Sequence, residues 1–300
     1  MIFFNSHKKT FTLFVSFLLI FLITGCSSSK KQVTIGTKPM TEQFILAEML
    51  ALLIEKNTDL EVKIVKGIAG GTGNIQPAMV KGEIDLYPEY TGTAWSYVLK
   101  RDPLADSDQL FKELQAEYKK QFNFRWLGLY GFNNTYALAM KESLATEHNL
   151  TTYSDLARQS SQFVFGAEYD FYERKDGFDG LVAVYGFNFS RVVDLDIGLK
   201  YQAIESGKVD VINAFTTDGL LTAYNMKVLQ DDKNFFPSYY CGTVIRQETL
   251  DKYPQLEAAL VKLNNQISES EMSYMNYQVE SEKKNEREVA ENFLKNKKLI

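Results

Sequence analysis

Gly82-Glu83-Ile84-Asp85-Leu86-Tyr87-Pro88-Glu89-Tyr90-Thr91-Gly92-Thr93 is the stretch on which the fold of this chain turns. Its frame occurs twice: Ala78-x-x-x-Gly82-Glu83-Ile84-Asp85 recurs as Ala203-x-x-x-Gly207-Lys208-Val209-Asp210. Five residues past each Asp stands an aromatic ring, Tyr90 in one copy and Phe215 in the other, and three further on stand Thr93 and Asp218. In each copy the pattern predicts a helix ended by glycine, which takes a left-handed cap without steric cost, and then a strand. Two such units, each ending in a ring with polar neighbours, are what two lobes closing on one small ligand require.

Outward from this segment the apolar residues alternate between strand and helix spacing. Residues 33–35 predict a first strand. Thr41 is placed to cap the next helix, in which Phe44, Ile45, Met49, Leu50 and Leu53 put one apolar face on a core. A strand over 61–65, a glycine-rich turn over 67–73, a helix over 74–81 and a strand over 84–86 follow. Alternating strands and helices predict an α/β protein with a mainly parallel sheet. Ligands of such sheets lie beyond the carboxyl ends of the strands. Lys38, the 67–74 loop, Tyr90 and Thr93 are therefore expected along one edge. Strands over 134–140, 163–166, 209–213 and 227–230 predict a second lobe, with chain crossings near Asn134 and over 237–240. The tail reads as a helix over 256–267 and a charged helix from about 280 to 294, whose mixed charges predict a solvated face with one apolar stripe.

Composition narrows the function. With 300 residues and 45% hydrophobic residues the chain has length for one large domain or two ordinary ones. The net charge is −5 and Lys and Arg are dispersed, so no basic stripe points to nucleic acid. Two His and two Cys supply no transition-metal cluster, and no Ser/His/Asp or Cys/His set emerges, so neither an enzyme nor a cofactor is expected. The 67–74 loop has no Gly-Lys-Ser/Thr and lacks dinucleotide spacing, so a tight turn near a cleft explains it better than phosphate binding. At the N-terminus Lys8 and Lys9 precede an apolar run over 11–23 and then Thr24-Gly25-Cys26. This is a secretory signal. Its end resembles a bacterial lipoprotein cleavage site, with residues 1–25 removed, Cys26 carrying lipid at the outer face of the cell membrane, and 26–32 a tether. Cys241 is then a lone thiol, expected as a small buried side chain.

Tyr90, Tyr136, Phe215 and Tyr239 come from separate segments, each within or after a predicted strand near a loop or crossing. On a two-lobed layout they suggest a box of rings. A quaternary ammonium has no N–H to donate, but it is attracted to ring faces, by about 0.5–2 kcal/mol per contact. Several contacts approach the ~8 kcal/mol that micromolar affinity needs. Lys38 and Arg174 read either as surface charges, with Arg174 paired to Glu173 or Asp176, or as a clamp for a carboxylate, to which Thr93 adds a hydroxyl.

At these residues the chain resembles the substrate-binding proteins of osmoprotectant ABC transporters, the glycine betaine/choline/carnitine-binding group. The matching segments are Ile35-Gly36-Thr37-Lys38-Pro39-Met40-Thr41-Glu42-Gln43, the opening stretch, Tyr130-Gly131-Phe132-Asn133-Asn134-Thr135-Tyr136-Ala137-Leu138, Glu173-Arg174-Lys175-Asp176-Gly177, Thr216-Thr217-Asp218 and Phe235-Phe236-Pro237-Ser238-Tyr239. The resemblance implies a two-lobed periplasmic-binding-protein fold of type II with a hinged cleft. Lobe 1 would comprise 33–134 and 239–300, and lobe 2 would comprise 135–238. It implies a monomeric receptor that passes a trimethylammonium compound to an ABC permease and its ATPase. The family's aromatic cage falls on Tyr90, Tyr136, Phe215 and Tyr239, and its carboxylate ligands fall on Lys38, Thr93 and Arg174. Asn134 matches a position that can face the ligand. The family usually has Tyr where this chain has Phe215, which leaves glycine betaine, carnitine, choline and ergothioneine all open. A same-fold receptor for an amino acid or another amine would use Asp218 as its carboxylate, and a ligand-sensing lipoprotein is a further alternative.

Overall fold

The two copies of the repeated unit fold alike. Residues 31–300, apart from 103, 105, 175, 176 and 197, are described in a computed structural model. The signal segment and the lipidation expected at Cys26 lie outside the described residues. Strands β1 (Gln32–Gly36), β2 (Glu61–Val65), β3 (Leu86–Tyr90) and β4 (Phe124–Asn133) belong to one sheet. A second sheet holds β5 (Tyr136–Lys141), β6 (Val164–Ala167), β7 (Arg191–Asp194), β8 (Val211–Phe215) and β9 (Met226–Val228). Strand β10 (Tyr240–Arg246) then returns to the first. The orders are β2-β1-β3-β10-β4 and β7-β6-β8-β5-β9.

Gly82 and Gly207 both sit at positive φ, 78° and 70°. Beyond them Glu83 N–H donates to Ala78 O and Lys208 N–H to Ala203 O, each at 2.9 Å. The Asp85 carboxylate accepts from Thr34 N–H in β1, and the Asp210 carboxylate accepts from Val164 N–H in β6, both at 2.8 Å. The repeated Asp therefore pins the start of one strand against its neighbour in both sheets. That is a structural reason for its recurrence, independent of any ligand.

Neither sheet is mainly parallel. β1 runs parallel to β2 and β3, and β6 runs parallel to β7 and β8. β10 is antiparallel to β3 and β4, and β5 is antiparallel to β8 and β9. The β1–β2–β3 set is the strand–helix–strand run expected from the sequence, whereas β7 has no counterpart among the expected elements. β5 and β10 each enter directly from the other sheet, with no crossover helix to turn them parallel. The ten-residue β4 has no counterpart in the expected elements. Gly128 and Gly131 take positive φ within it, and the β10–β4 register shifts twice, so regular alternation is lost from its sequence.

Helices α1 (Thr41–Asn57), α2 (Thr72–Lys81), α3 (Lys200–Glu205), α4 (Gln255–Leu260), α5 (Glu269–Glu280) and α6 (Glu286–Asn296) frame the site. α1 was expected to bury one face, but Ile45 through Ile54 is buried almost all round apart from Glu48. An all-round apolar helix must be covered on every side, and here α4, α5 and α6 return from the end of the chain to cover it. Thr41 does not cap α1. The N-cap is Met40, one residue earlier, with no side-chain bond. α6 carries the single apolar stripe expected of it, through Val289, Ala290, Phe293 and Leu294. Its start lies later than expected because Asn285 caps it, accepting from Arg287 and Glu288 N–H. Among the described residues no helix is long and apolar enough to cross a membrane.

Candidate functional site

The chain passes between the sheets twice, and the two passages lie side by side. Asn134 N–H donates to Tyr239 O at 3.1 Å, and Tyr239 N–H donates to Asn133 Oδ1 at 2.7 Å. These bonds bring Tyr136 and Tyr239 together at the passage. β5 pairs with β8 so that Tyr136 lies opposite Phe215. Their ring centroids are 4.8 Å apart, and the Tyr136–Tyr239 distance is 5.9 Å with the rings edge to face. Phe171 and Phe236, not singled out in the sequence, join Tyr136 at 5.2 and 5.7 Å. Tyr90 stands opposite Cys241 in the β3–β10 pairing, two residues from Tyr239, and therefore on the same sheet face. Gly92 is needed there: a Cβ would come within 2.7 Å of the Tyr239 ring and 2.9 Å of Ser238 O. Cys241 is fully buried, and burial pushes its thiol well up.

Protein cations lie against three of these rings. Lys38 Nζ is 4.5 Å from the Tyr90 centroid, Arg174 Cζ is 5.4 Å from Tyr136, and Lys200 Nζ is 5.2 Å from Phe215. Arg174 also donates to Tyr239 OH at 3.3 Å, so it joins the ring cluster. Lys38 is buried and forms an ion pair with Glu89 at 2.5 Å. Glu89 lies within β3, neither at a helix cap nor exposed. It also accepts from Thr72 Oγ1, Tyr87 OH and Tyr90 N–H. Lys38, the glycine loop leading into α2 and the end of β3 do share one edge. Thr93 lies in the helical turn Thr91–Thr93 just beyond Tyr90, half-buried. The second sheet has an ion pair of reversed order: Glu168, just past β6, meets Lys200 of α3 at 3.4 Å and accepts from Asn213 at 2.8 Å.

A carboxylate not foreseen from the sequence ties these parts together. Glu42, in the first turn of α1, is 2% exposed. It accepts from Tyr90 OH at 2.6 Å, Asn134 Nδ2 at 2.8 Å, Thr217 Oγ1 at 2.6 Å and Asn276 Nδ2 at 3.3 Å. Those donors come from β3, the passage between sheets, the segment after β8, and α5. Burial pushes Glu42 up, against the pull of its hydrogen bonds. The first turn of a helix also favours a negative charge. The signal available in the sequence was an acid in the first turn of a helix rich in apolar residues.

Beside the rings lies a cleft of about 800 Å³. Phe215 and Asn134 border it, together with Glu42, Lys200, Asp218 and Glu280. A separate hollow of about 250 Å³ near Trp95 and Glu117 contains none of the candidate residues. Asp218 accepts from Tyr201 OH at 2.7 Å and from Phe215 N–H at 3.1 Å, and burial pushes it up although Lys200 opposes the shift. Glu280, at the end of α5, is pushed up to about 7 by burial and then by the charge of Asp218, with Glu42 adding to the shift and Thr41 and Lys283 opposing it. A carboxylate raised in the folded state gives up stability as pH climbs from its unfolded value towards its folded one. The melting temperature should therefore fall between about pH 5 and pH 7, and Glu280→Gln should flatten that fall. Parallel melting curves of the two proteins across this range would remove Glu280 as the cause.

Comparison with known proteins bears on this arrangement. The family described as "Substrate binding domain of ABC-type glycine betaine transport system" matches residues 31–296. The chain belongs to this family. It is an extracytoplasmic family of small-ligand receptors that work with ABC permeases, and its members are not enzymes. The chain is 46% identical over 275 residues to the "Ergothioneine transport permease/ergothioneine binding protein EgtU" of Helicobacter pylori, covering 92% of this chain but only 49% of that protein. It is 33% identical over 298 residues to the "Carnitine transport binding protein OpuCC" of Listeria monocytogenes, covering 96% of both. A crystal structure titled "glycine betaine/carnitine/choline ABC transporter" matches with a TM-score of 0.78 at 34% identity, over 89% of this chain and 99% of that one. The α/β fold with two sheets is thus that of the betaine-binding substrate receptors.

Proposed function

We propose that this member of the betaine-binding family is the receptor of an importer for trimethylammonium betaines, with ergothioneine the first candidate ligand. The observation that carries this is the ring cluster at the chain passages: Tyr136 set between Phe215 and Tyr239, with Arg174 against Tyr136 and bonded to Tyr239. Rings take a cation that has no N–H, and an adjacent guanidinium takes the carboxylate of the same zwitterion. Tyr90, Thr93 and Asn134 complete the site from the first lobe. Lys38 acts mainly through Glu89 and the Tyr90 ring, holding that ring in place. The higher identity to the ergothioneine-binding relative than to the carnitine-binding one favours the larger betaine.

In this proposal the lobes are 33–134 with 239–300, and 135–238. They close about the paired passages at Asn134 and Tyr239. Cys26 carries the lipid that holds a monomeric receptor at the membrane beside its permease and ATPase. Calorimetric titration with ergothioneine, carnitine, glycine betaine and choline tests the ligand class. Micromolar or tighter binding of ergothioneine, and weaker binding of choline, is expected. Binding of a primary amine with none of these four would end the betaine assignment.

A further inference from the structure

The two strand-end rings of the repeat each carry a buried lysine ammonium over a face, but they are fixed in different ways. Lys38 Nζ lies 4.5 Å from the Tyr90 centroid, and Lys200 Nζ lies 5.2 Å from that of Phe215. Tyr90 is also tied at both ends by hydrogen bonds. Its N–H donates to Glu89 at 2.6 Å, its hydroxyl donates to Glu42 at 2.6 Å, and the same hydroxyl accepts from Gln43 at 3.2 Å. Phe215 has no hydroxyl to tie. Its N–H donates to Asp218 at 3.1 Å, which fixes the backbone but not the rotation of the side chain. Among the described residues, the oriented contacts of its ring are Tyr136, with centroids 4.8 Å apart, and Lys200.

Stability alone explains Lys200 poorly. The residue is 2% exposed, at the start of α3, where the helix dipole disfavours a positive charge. An ammonium has three donors. Among the described residues its hydrogen bond is a long one to Glu168 Oε2, at 3.4 Å, against about 2.7–2.9 Å for a well-made charge-assisted bond. A buried ion pair this loose repays little of the cost of taking two charges out of water. Over Phe215, however, the ammonium is attracted by the ring quadrupole. Its neighbours direct it there. Glu168 also accepts from Asn213 at 2.8 Å, and Asn213 lies two residues before Phe215 on the same face of β8. Tyr201, next to Lys200, donates its hydroxyl at 2.7 Å to the Asp218 carboxylate that holds Phe215 N–H. The first turn of α3 thus reaches Phe215 twice: on the ring through Lys200, and on the backbone through Tyr201 and Asp218.

We propose that Lys200 is the positioning residue of the second-lobe wall of the cage. Its ammonium, anchored by Glu168, keeps the Phe215 ring set against Tyr136, and gives a phenylalanine the restraint that Glu42 and Gln43 give Tyr90 through its hydroxyl. The inference rests on the betaine assignment. A ring held in place before the ligand arrives adds no ordering cost when the ligand binds. Without Lys200 the ligand must order Phe215 itself, so binding of every trimethylammonium compound weakens while the fold persists. Because Lys200 acts through the ring, that loss disappears when the ring is absent.

Lys200→Met alone would leave Glu168 buried without its cation, so the test pairs it with Glu168→Gln, whose amide oxygen can still accept from Asn213. Calorimetry with ergothioneine and with carnitine is run on the wild type, this double variant, Phe215→Leu, the triple variant and Lys200→Arg, with melting curves to show that each is folded. Should the double variant not fold, Lys200→Gln, whose own amide can donate to Glu168, takes its place. The double variant is expected to bind both ligands about tenfold more weakly, or 1.4 kcal/mol. In the Phe215→Leu background the same changes are expected to shift affinity less than about twofold, the mark of residues coupled through one contact. Lys200→Arg keeps a cation over the ring and should stay within about threefold of the wild type. A lowered melting temperature with unchanged affinity makes Lys200 purely structural and overturns its positioning role. So does a tenfold loss that persists without the Phe215 ring, since Lys200 then acts elsewhere. Both of those results leave the betaine assignment standing. A wild type that binds neither ligand overturns the betaine assignment itself, and the role of Lys200 falls with it.

Discussion

Replacing Tyr136 with alanine is expected to weaken betaine binding about 100-fold, or near 2.7 kcal/mol, in a protein that remains folded. Tyr136 is the ring on which the others depend. Phe171, Phe215, Phe236 and Tyr239 all have centroids within 4.8 to 5.9 Å of it, and the Arg174 guanidinium lies over its face. Truncation removes one wall of the cage, worth about 0.5–2 kcal/mol to a bound cation. It also frees neighbours whose ring pairs contribute about 0.5–1.5 kcal/mol each. Tyr136 is half-buried rather than at the centre of a core, so the fold should tolerate the loss. Tyr136→Phe keeps the ring face and should lose much less. Calorimetry with ergothioneine, alongside circular dichroism, reads both effects. An unchanged dissociation constant in Tyr136→Ala would refute the ring cluster as the cation site.

Glu42→Ala should cost about 3 kcal/mol or more of stability, the larger effect on the fold. The substitution strips the acceptor from Tyr90, Asn134, Thr217 and Asn276 at once. Gln43 still reaches Tyr90 OH, and Asn276 still has Thr217 O, so part of the network survives. The remaining buried donors lose their partner, at about 1–3 kcal/mol each. Because the donors come from both sheets and from the passage between them, the loss should also loosen one lobe against the other. Glu42→Gln keeps the shape but turns an NH2 towards other donors, and should fall between alanine and wild type. Urea unfolding measures the stability directly. A midpoint shift too small to distinguish Glu42→Ala from wild type would show that the network does not hold the lobes.

Much of the fold could be read from local pattern. The repeated Ala-x-x-x-Gly-x-x-Asp frame marks a helix end, a turn and a strand start, all set by residues within a few positions of one another. The strand bounds were less accurate. The opening segment's strand runs over Leu86–Tyr90 rather than 84–86, because Asp85 is held by Thr34 of β1 before the ladder begins. Thr41 has the right chemistry for a cap, but the helix starts at Thr41 itself, so the cap position falls on Met40. β4 was unreadable because its glycines break the alternation while a distant strand, β10, repairs the pairing.

The candidate site divides along the same line. Tyr90 and Phe215 could be named from the sequence because each ends a strand that the repeated frame marks. Family membership was likewise written in the Tyr87-Pro88-Glu89-Tyr90-Thr91-Gly92-Thr93 run and its companions. Tertiary structure alone decided which acid meets which base. It paired Lys38 with Glu89, gave Glu42 four donors from distant segments, and set Asp218 and Glu280 on one cleft. Periodicity and capping depend on neighbours within a turn or a strand, so one chain suffices to read them. A buried carboxylate's partners depend on how whole elements pack, and no local spacing records that.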